Sequence, residues 1–394
     1  MRTIGVVTGA RADYGIYRPI LRRIREEREL RAVVIVTGAH LSPEFGLTVR
    51  EIEADGFGIG DRVEMLLSSD SPEGIAKSLG LGAIGFAQVF GRFRPDILLV
   101  LGDRFEMLAA VGAALPFKIP VAHIHGGEST EGAIDESIRH AVTKMSHLHF
   151  VSTEHYARRV MQMGEEPWRV VVSGAPSLDG LRGFEPLSRE TFSARYGVDV
   201  EGRPLLVTYH SVTLEYEETE AQVRELLAAL REAPRPIIFT YPNADTASRV
   251  IIEAIKAFAR EDARAQVVAS LGTEGYWSLM TYAAAMVGNS SSGLVEAASF
   301  ELPVVNIGSR QRGRVFGENV INVEGRCADI LAGIRRAIAP EFRARLRGIR
   351  NPYGDGQAAE RIVSTLRNVA IDAKLLVKKF HARDREGEGE RGGG

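Results

Sequence analysis

Short apolar runs recur along this chain at wide intervals, and a stretch with helical spacing lies between most successive runs. In the first half the runs are Thr3–Thr8, Ala32–Thr37, Asp96–Leu101, Val121–Ile124 and Val170–Ser173. Tyr14–Glu27, Pro72–Arg92, Phe105–Leu115, Ala133–His147 and Thr153–Met163 show the helical spacing. A strand with one wet face alternates apolar and polar residues, whereas these runs are apolar nearly throughout, so both their faces must be covered. Strands buried on both sides and joined by helices dictate a parallel sheet between two helical layers.

The pattern then stops and restarts. Ser173-Gly-Ala-Pro-Ser-Leu-Asp-Gly180 is rich in turn formers and marks a boundary. Beyond it, Pro204–Tyr209, Pro236–Thr240, Ala265–Ala269, Met286–Val287 and Pro303–Asn306 are predicted strands, with helices over Glu217–Glu232 and Asp245–Ala259. The expected fold class is α/β, with two Rossmann-like domains over residues 1–175 and 176–354 facing a cleft. Ligands in such sheets bind beyond the carboxyl ends of the strands. A chain of 394 residues is long enough for two such cores. Residues 381–394 hold nothing that could pack and are expected to be disordered.

Composition narrows the function. With 49 basic and 51 acidic residues there is no electrostatic case for a nucleic-acid partner. The single cysteine, Cys327, excludes an intrachain disulfide and a Cys-type zinc cluster, and fits a reducing compartment. The start, Met1-Arg-Thr-Ile-Gly-Val-Val-Thr-Gly9, reads as a strand and turn rather than a leader. No uncharged apolar run approaches the roughly 18 residues that span a bilayer, so a cytoplasmic protein without a membrane partner is expected.

Nearly every unusual cluster follows a predicted strand. Thr8-Gly-Ala-Arg11-Ala-Asp13-Tyr-Gly15 is a Gly-bearing strand-to-helix turn whose N–H groups could hold an anion. It is neither a Walker loop nor a dinucleotide fingerprint. Gly102-Asp103-Arg104-Phe-Glu106 puts charge at the sheet edge; equally, Asp103 could cap the next helix and Arg104 pair with Glu106. In His123-Ile-His125-Gly-Gly-Glu128 the two histidines, if on a strand, share one face, a spacing used by metal sites and by packed imidazoles alike. Asp135 and Arg139 form an i,i+4 pair at a helix start, and His147-Leu-His149 fits core packing. Gly288-Asn289-Ser290-Ser291-Ser292-Gly293, with Glu296 a turn further, opens a helix with hydroxyls and makes a second anion cradle, unless the serines merely cap it. Three arginines follow in Gly308-Ser-Arg310-Gln-Arg312-Gly-Arg314. Anion cradles in both halves imply one polyphosphate-bearing ligand across the cleft.

Read together with Asn306-Ile-Gly-Ser-Arg-Gln-Arg-Gly-Arg314 and Ile134-Asp-Glu-Ser-Ile-Arg-His-Ala-Val-Thr-Lys-Met-Ser-His147, these blocks resemble the hydrolysing UDP-N-acetylglucosamine 2-epimerases of sialic and legionaminic acid biosynthesis. The resemblance runs to about Arg367. It implies a glycosyltransferase-B fold whose final helix, about residues 355–376, returns to the first domain, a homodimer or homotetramer, a nucleotide-sugar substrate, and no metal or nicotinamide cofactor. It also implies elimination of the nucleoside diphosphate to a 2-acetamidoglycal, then hydration to the manno-configured sugar. Asp103, Glu128 and Asp135 are the implied catalytic residues. Arg11, His40, Arg104, His125, His210, Ser290, Ser291, Glu296 and Arg310 are the implied substrate contacts. Some family members carry a glutamate acid/base at the position of His125, so Glu128 or His125 itself must serve here. Many have His-Pro where this chain has His210-Ser211. The start and the His-Val-Glu-Ala-Gly-Leu-Arg block of non-hydrolysing epimerases are absent. A non-hydrolysing epimerase or a glycosyltransferase of the same fold, a metal-dependent hydrolase using His123 and His125, and a non-catalytic nucleotide-sugar sensor are the other readings.

Overall fold

The computed structural model of the chain describes residues 1–67, 71–129, 134–242 and 248–382, apart from the side chains of 213, 214 and 216. Most of the expected disordered tail, and the start of the helix expected from Asp245, lie outside the described residues. The chain forms two compact units, residues 1–129, 134–180 and 354–382 in one and 181–353 in the other.

The first unit holds β1 (Arg2–Thr8), β2 (Leu30–Thr37), β3 (Ile59–Val63), β4 (Ile97–Leu101), β5 (Val121–Ile124), β6 (Leu148–Val151) and β7 (Val170–Val172). They pair in the order β3-β2-β1-β4-β5-β6-β7, every neighbouring pair parallel. Chain direction across the sheet reverses between β1 and β4, which opens a crevice at the carboxyl ends. Tyr14, Tyr17, Ile20, Leu21 and Ile24 of helix Arg11–Glu26 recur every three or four residues and fill one face of the sheet, joined by Ile362, Val363 and Leu366 of helix Ala358–Asn368. Each fully buried side chain of this size contributes about 1.5–3 kcal/mol. Phe86, Val89 and Phe90 of helix Pro72–Arg92 and Met107, Ala110 and Val111 of helix Phe105–Ala114 fill the other face. Helix Pro72–Arg92 is long and apolar enough to cross a membrane by length and composition. Its run is interrupted by Lys77 and polar residues, and its inner face is core.

The returning C-terminal segment is fastened by polar contacts. Asp179 accepts the free N–H groups of Ala358 and Ala359 at the helix start. Arg169, almost fully buried, donates to the carbonyls of Lys374, Leu375 and Val377 at 2.8–3.2 Å. Lys378 reaches buried Glu165, which also receives His149 and Lys144. Burial works against the charge on Glu165, but these donors outweigh it and pull its pKa down to about 2.

The second unit holds β8 (Leu205–Thr208), β9 (Ile237–Thr240), β10 (Ala265–Val268), β11 (Ala285–Gly288), β12 (Val304–Ile307) and β13 (Val320–Val323). Their order, β10-β9-β8-β11-β12-β13, is again all parallel and reverses between β8 and β11. Three strands missing from the sequence reading (β3, β6 and β13) and the helices Gly272–Tyr282 and Cys327–Ile338 complete the two layers.

Candidate active site

At the carboxyl edge of the first sheet, four strand ends bring carboxylates and arginines together. After β1, Asp13 takes the N–H groups of Gly9 and Ala10 at 3.2 and 3.0 Å. This corrects the anion cradle expected there, since the chain's own carboxylate already occupies those amides. Burial pushes Asp13 up to about 6, with Arg104 opposing and Glu106 reinforcing the shift. Arg11 stands exposed and pairs with Glu51 at 3.1 Å. After β2, Gly38 has φ 59°, and a Cβ there would lie 2.6 Å from Glu106 Oε1 and 2.8 Å from the Gly9 carbonyl. Only glycine lets the β1 and β2 ends close over Glu106. His40 is fully buried, with Nε2 2.9 Å from Thr8 Oγ1 and Nδ1 2.7 Å from Thr48 Oγ1. Burial lowers its pKa to about 4. It therefore ties two loops together rather than offering a ring nitrogen to a ligand.

After β4, Arg104 grips fully buried Glu106 through two nitrogens, at 2.8 and 3.2 Å, as the pairing reading expected. Burial disfavours the guanidinium charge, but Glu106, Asp13 and Asp135 outweigh it and raise its pKa. Asp103 does not cap the following helix, whose N-cap is Arg104; it accepts from Arg139 instead. Arg139 thus leaves the expected i,i+4 pairing with Asp135 for Asp103, and its other terminal nitrogen donates to the His125 carbonyl at 3.1 Å. Asp135 sits half-buried in the first turn of helix Ile134–Met145.

After β5 the chain turns sharply. His123, still on the strand, is fully buried, with Nε2 2.8 Å from the Gly102 carbonyl and Nδ1 3.2 Å from Thr143 Oγ1. Burial pushes it down to about 3. His125 has left the strand at φ 65°, so the two rings do not share a face and the paired-ligand geometry is lost. His125 Nδ1 lies 2.5 Å from Glu128 Oε1, which also accepts Ser152 Oγ, from the end of β6, at 2.8 Å.

The second sheet's carboxyl edge is built of hydroxyls and amides. Gly288, at φ 140°, could carry no side chain: a Cβ would lie 1.9 Å from the Thr208 carbonyl of β8. The next residue, buried Asn289, exchanges two bonds with the His210 backbone at 2.7 and 2.8 Å. Its carbonyl takes Gln311 Nε2 at 2.7 Å and Arg310 Nη1 at 3.3 Å, so one amide joins the ends of β8, β11 and β12. A hydroxyl chain runs Thr240, Thr208, Tyr276, Ser292, Ser290 with steps of 2.6, 3.0, 3.1 and 2.9 Å. The serines open a single helical turn, Ser292–Val295, too short for the expected dipole. Ser291 is its N-cap and makes no side-chain capping bond. Burial, then Arg310, lowers His210 to about 3, which leaves it a neutral donor and acceptor. Burial raises half-buried Glu296 to about 7 against a Trp277 hydrogen bond. Tyr276 and Gln311, like Ser152 in the first unit, carry no signal in the sequence because their partners Thr208, Asn289 and Glu128 lie far along the chain.

A family model described as UDP-N-acetylglucosamine 2-epimerase matches residues 22–367. The chain is 38% identical over 379 residues to the UDP-N,N'-diacetylbacillosamine 2-epimerase (hydrolyzing) of Legionella pneumophila, covering 96% of this chain and 99% of the relative. It is 37% identical over 382 residues to the GDP/UDP-N,N'-diacetylbacillosamine 2-epimerase (hydrolyzing) of Campylobacter jejuni, covering 96% and 98%. The UDP-GlcNAc 2-epimerase of Neisseria meningitidis bound to UDP-GlcNAc shares the fold, with a TM-score of 0.79, 20% identity, and coverage of 93% and 99%.

Proposed function

The chain belongs to the UDP-N-acetylglucosamine 2-epimerase family, and on that premise we propose that it hydrolyses a nucleoside-diphosphate 2-acetamido sugar while inverting C2. The products are the free manno-configured sugar and the nucleoside diphosphate. The names of the two relatives favour a 2,4-diacetamido-6-deoxy sugar on uridine or guanosine diphosphate over N-acetylglucosamine. One observation carries the reading: Asp103, Arg139, His125 and Glu128 form a continuous polar chain at the switch point of the first sheet.

Departure of the diphosphate develops positive charge at C1 and negative charge on the leaving oxygen. Arg310 and the hydroxyls around Ser290 and Ser291 match that anion, as do Arg11 and neutral His210, with Glu296 alongside. Such donors stabilise the departed phosphate more than the bonded one, and so lower the barrier. The charge at C1 acidifies the C2 hydrogen, and a nearby base removes it to give the glycal. Water then adds with a proton delivered to the other face of C2. Asp103, Glu128 and Asp135 are the carboxylates proposed to serve the proton transfers, directly or through a neighbouring side chain. Arg104 holds Glu106 and Asp13 in place behind them. A homodimer or homotetramer in the cytoplasm completes the proposal.

The test is a panel of nucleotide sugars offered to purified protein, with products identified by NMR. Free manno-configured 2-acetamido sugar and nucleoside diphosphate are expected, with solvent deuterium at C2 when the reaction runs in deuterated water. Transfer of the sugar to an acceptor, a manno product still bearing its nucleotide, or a retained C2 hydrogen would each overturn the reading.

A further inference from the structure

His125 carries two unfavourable features at once. Its φ of 65° is a left-handed conformation that non-glycine residues seldom adopt, and one that stores backbone strain. Its Nε2 is buried with no hydrogen-bond partner, which is unfavourable in itself. The surroundings hold the residue there. Arg139 ties down the His125 carbonyl at 3.1 Å, and Glu128 fixes the ring through Nδ1 at 2.5 Å. The Glu128 oxygen that faces the ring also takes Ser152 Oγ at 2.8 Å, so it is an acceptor serving two donors. A carboxylate only accepts, so Nδ1 bears the hydrogen and Nε2 is the nitrogen left to offer a lone pair. A carboxylate that fixes the tautomer and leaves the far nitrogen open is the arrangement by which an imidazole becomes a general base.

We propose that His125 Nε2 is the base that takes the C2 proton of the nucleotide sugar, and that Glu128 is its positioning residue. The inference deepens the hydrolysing-epimerase reading above and rests on it. In the step, the Nε2 lone pair binds the C2 hydrogen as a proton, and the C2–H electron pair becomes the C1–C2 π bond. The C1–O bond breaks, and its pair leaves on the nucleoside diphosphate. The new imidazolium charge lies against Glu128. Water later gives its hydroxide to C1 while a separate acid delivers a proton to the opposite face of C2; the proton left by that water restores the acid, and His125 returns its own to solvent. A nitrogen screened from bulk water suits removal of a carbon-bound proton, because the proton it receives is not exchanged before the leaving group departs. The side chain keeps 15% of its surface exposed, and the proposal requires the sugar to reach Nε2 by displacing the groups that cover it.

The experiment compares wild type with His125→Asn, since asparagine tolerates a left-handed φ and lacks the basic nitrogen. On the nucleotide sugar that the wild type hydrolyses, turnover of His125→Asn falls by about 10²–10⁴-fold, the range of a lost general base. Nucleoside diphosphate affinity is unchanged, which also reports an intact fold. Given the chemically prepared 2-acetamidoglycal with nucleoside diphosphate, the same variant still hydrates it at the wild-type rate. Glu128→Gln loses about 10–100-fold, the scale of a lost orienting partner, and the double variant is no slower than His125→Asn alone. Equal losses in elimination and hydration, wild-type turnover in His125→Asn, or additive losses in the double variant would each overturn the assignment. A wild type that releases no free sugar from any nucleotide sugar would instead remove the epimerase reading itself.

Discussion

The two sheets share one strand logic and carry opposite chemistry. Each reverses direction between its first and fourth strands, β1 and β4 in one, β8 and β11 in the other. The first edge gathers Asp13, Asp103, Glu106, Glu128 and Asp135 against Arg104 and Arg139. The second holds Thr208, Thr240, Tyr276, Ser290, Ser292, Asn289 and Gln311, with Arg310, Glu215 bonded to Ser309 at 2.7 Å, and a Glu296 whose pKa is near 7 among its charged groups. Groups that move protons must change charge near the working pH, as Asp13 does at about 6. Groups that hold a phosphate serve best when they do not titrate: Tyr276 is pushed up to about 12 by burial and His210 down to about 3. On the proposed function, one scaffold thus carries a proton-handling edge and a fixed-donor edge.

The strongest way to break this contrast is Asp103→Asn. It keeps the shape facing Arg139 but removes the carboxylate, so turnover should fall about 10²–10⁴-fold while nucleoside diphosphate affinity, read by calorimetry, stays put. Equal losses in both quantities would erase the division between the edges. Arg310→Ala is the converse: nucleotide affinity should weaken about 10–100-fold, the worth of a hydrogen bond to a charged group, with a loss of saturated turnover well below that of Asp103→Asn. A drop in saturated turnover as large as that of Asp103→Asn would put Arg310 in the chemistry. The smallest effect is in stability. Folded Glu296 keeps its proton to about pH 7, against an ordinary value of 4.5. Across that window the native state binds more protons than the unfolded chain, so its stability falls as pH rises. Glu296→Gln lacks this loss and should melt about 2–4 °C above wild type at pH 8, with the gap closing at pH 5. A gap that is the same at both pH values would sink the account.

How much of this the sequence displayed depended on how local each signal is. β4 and β8 are plain because every residue in them but Thr208 is apolar, and β1 because Ile4–Val7 is a run without a polar side chain. β3 is not: Gly60, Asp61 and Arg62 interrupt it, it lies at the sheet edge, and its register with β2 shifts between Val34 and Ile35. β6 hid behind its own His149, whose ring is matched by Glu165. In the site, the Arg104–Glu106 pair spans two residues and was legible. The Asp103–Arg139 pair spans 36 and displaced both the expected cap and the expected i,i+4 partner. The Gly9 and Ala10 amides looked open to a ligand because nothing in the order of residues says that Asp13 folds back onto them. The left-handed turn at His125 is likewise set by Arg139 and Glu128, which the local sequence does not place against it.

The late return of the chain to its first unit has a consequence for biosynthesis. Ile362, Val363 and Leu366 share a core with Tyr14, Tyr17 and Ile20, and Arg169 receives its carbonyl partners from residues more than two hundred positions later. Domains generally fold as units, the N-terminal one first, as the chain is made at about 5–20 residues per second. Here that order is turned round. Leu181–Tyr353 is contiguous and has all its core residues before the last helix is translated. The first unit, though begun earlier, must keep the apolar stripe of helix Arg11–Glu26 partly uncovered until Ala358–Asn368 arrives, and that interval is when a chaperone would have most to bind.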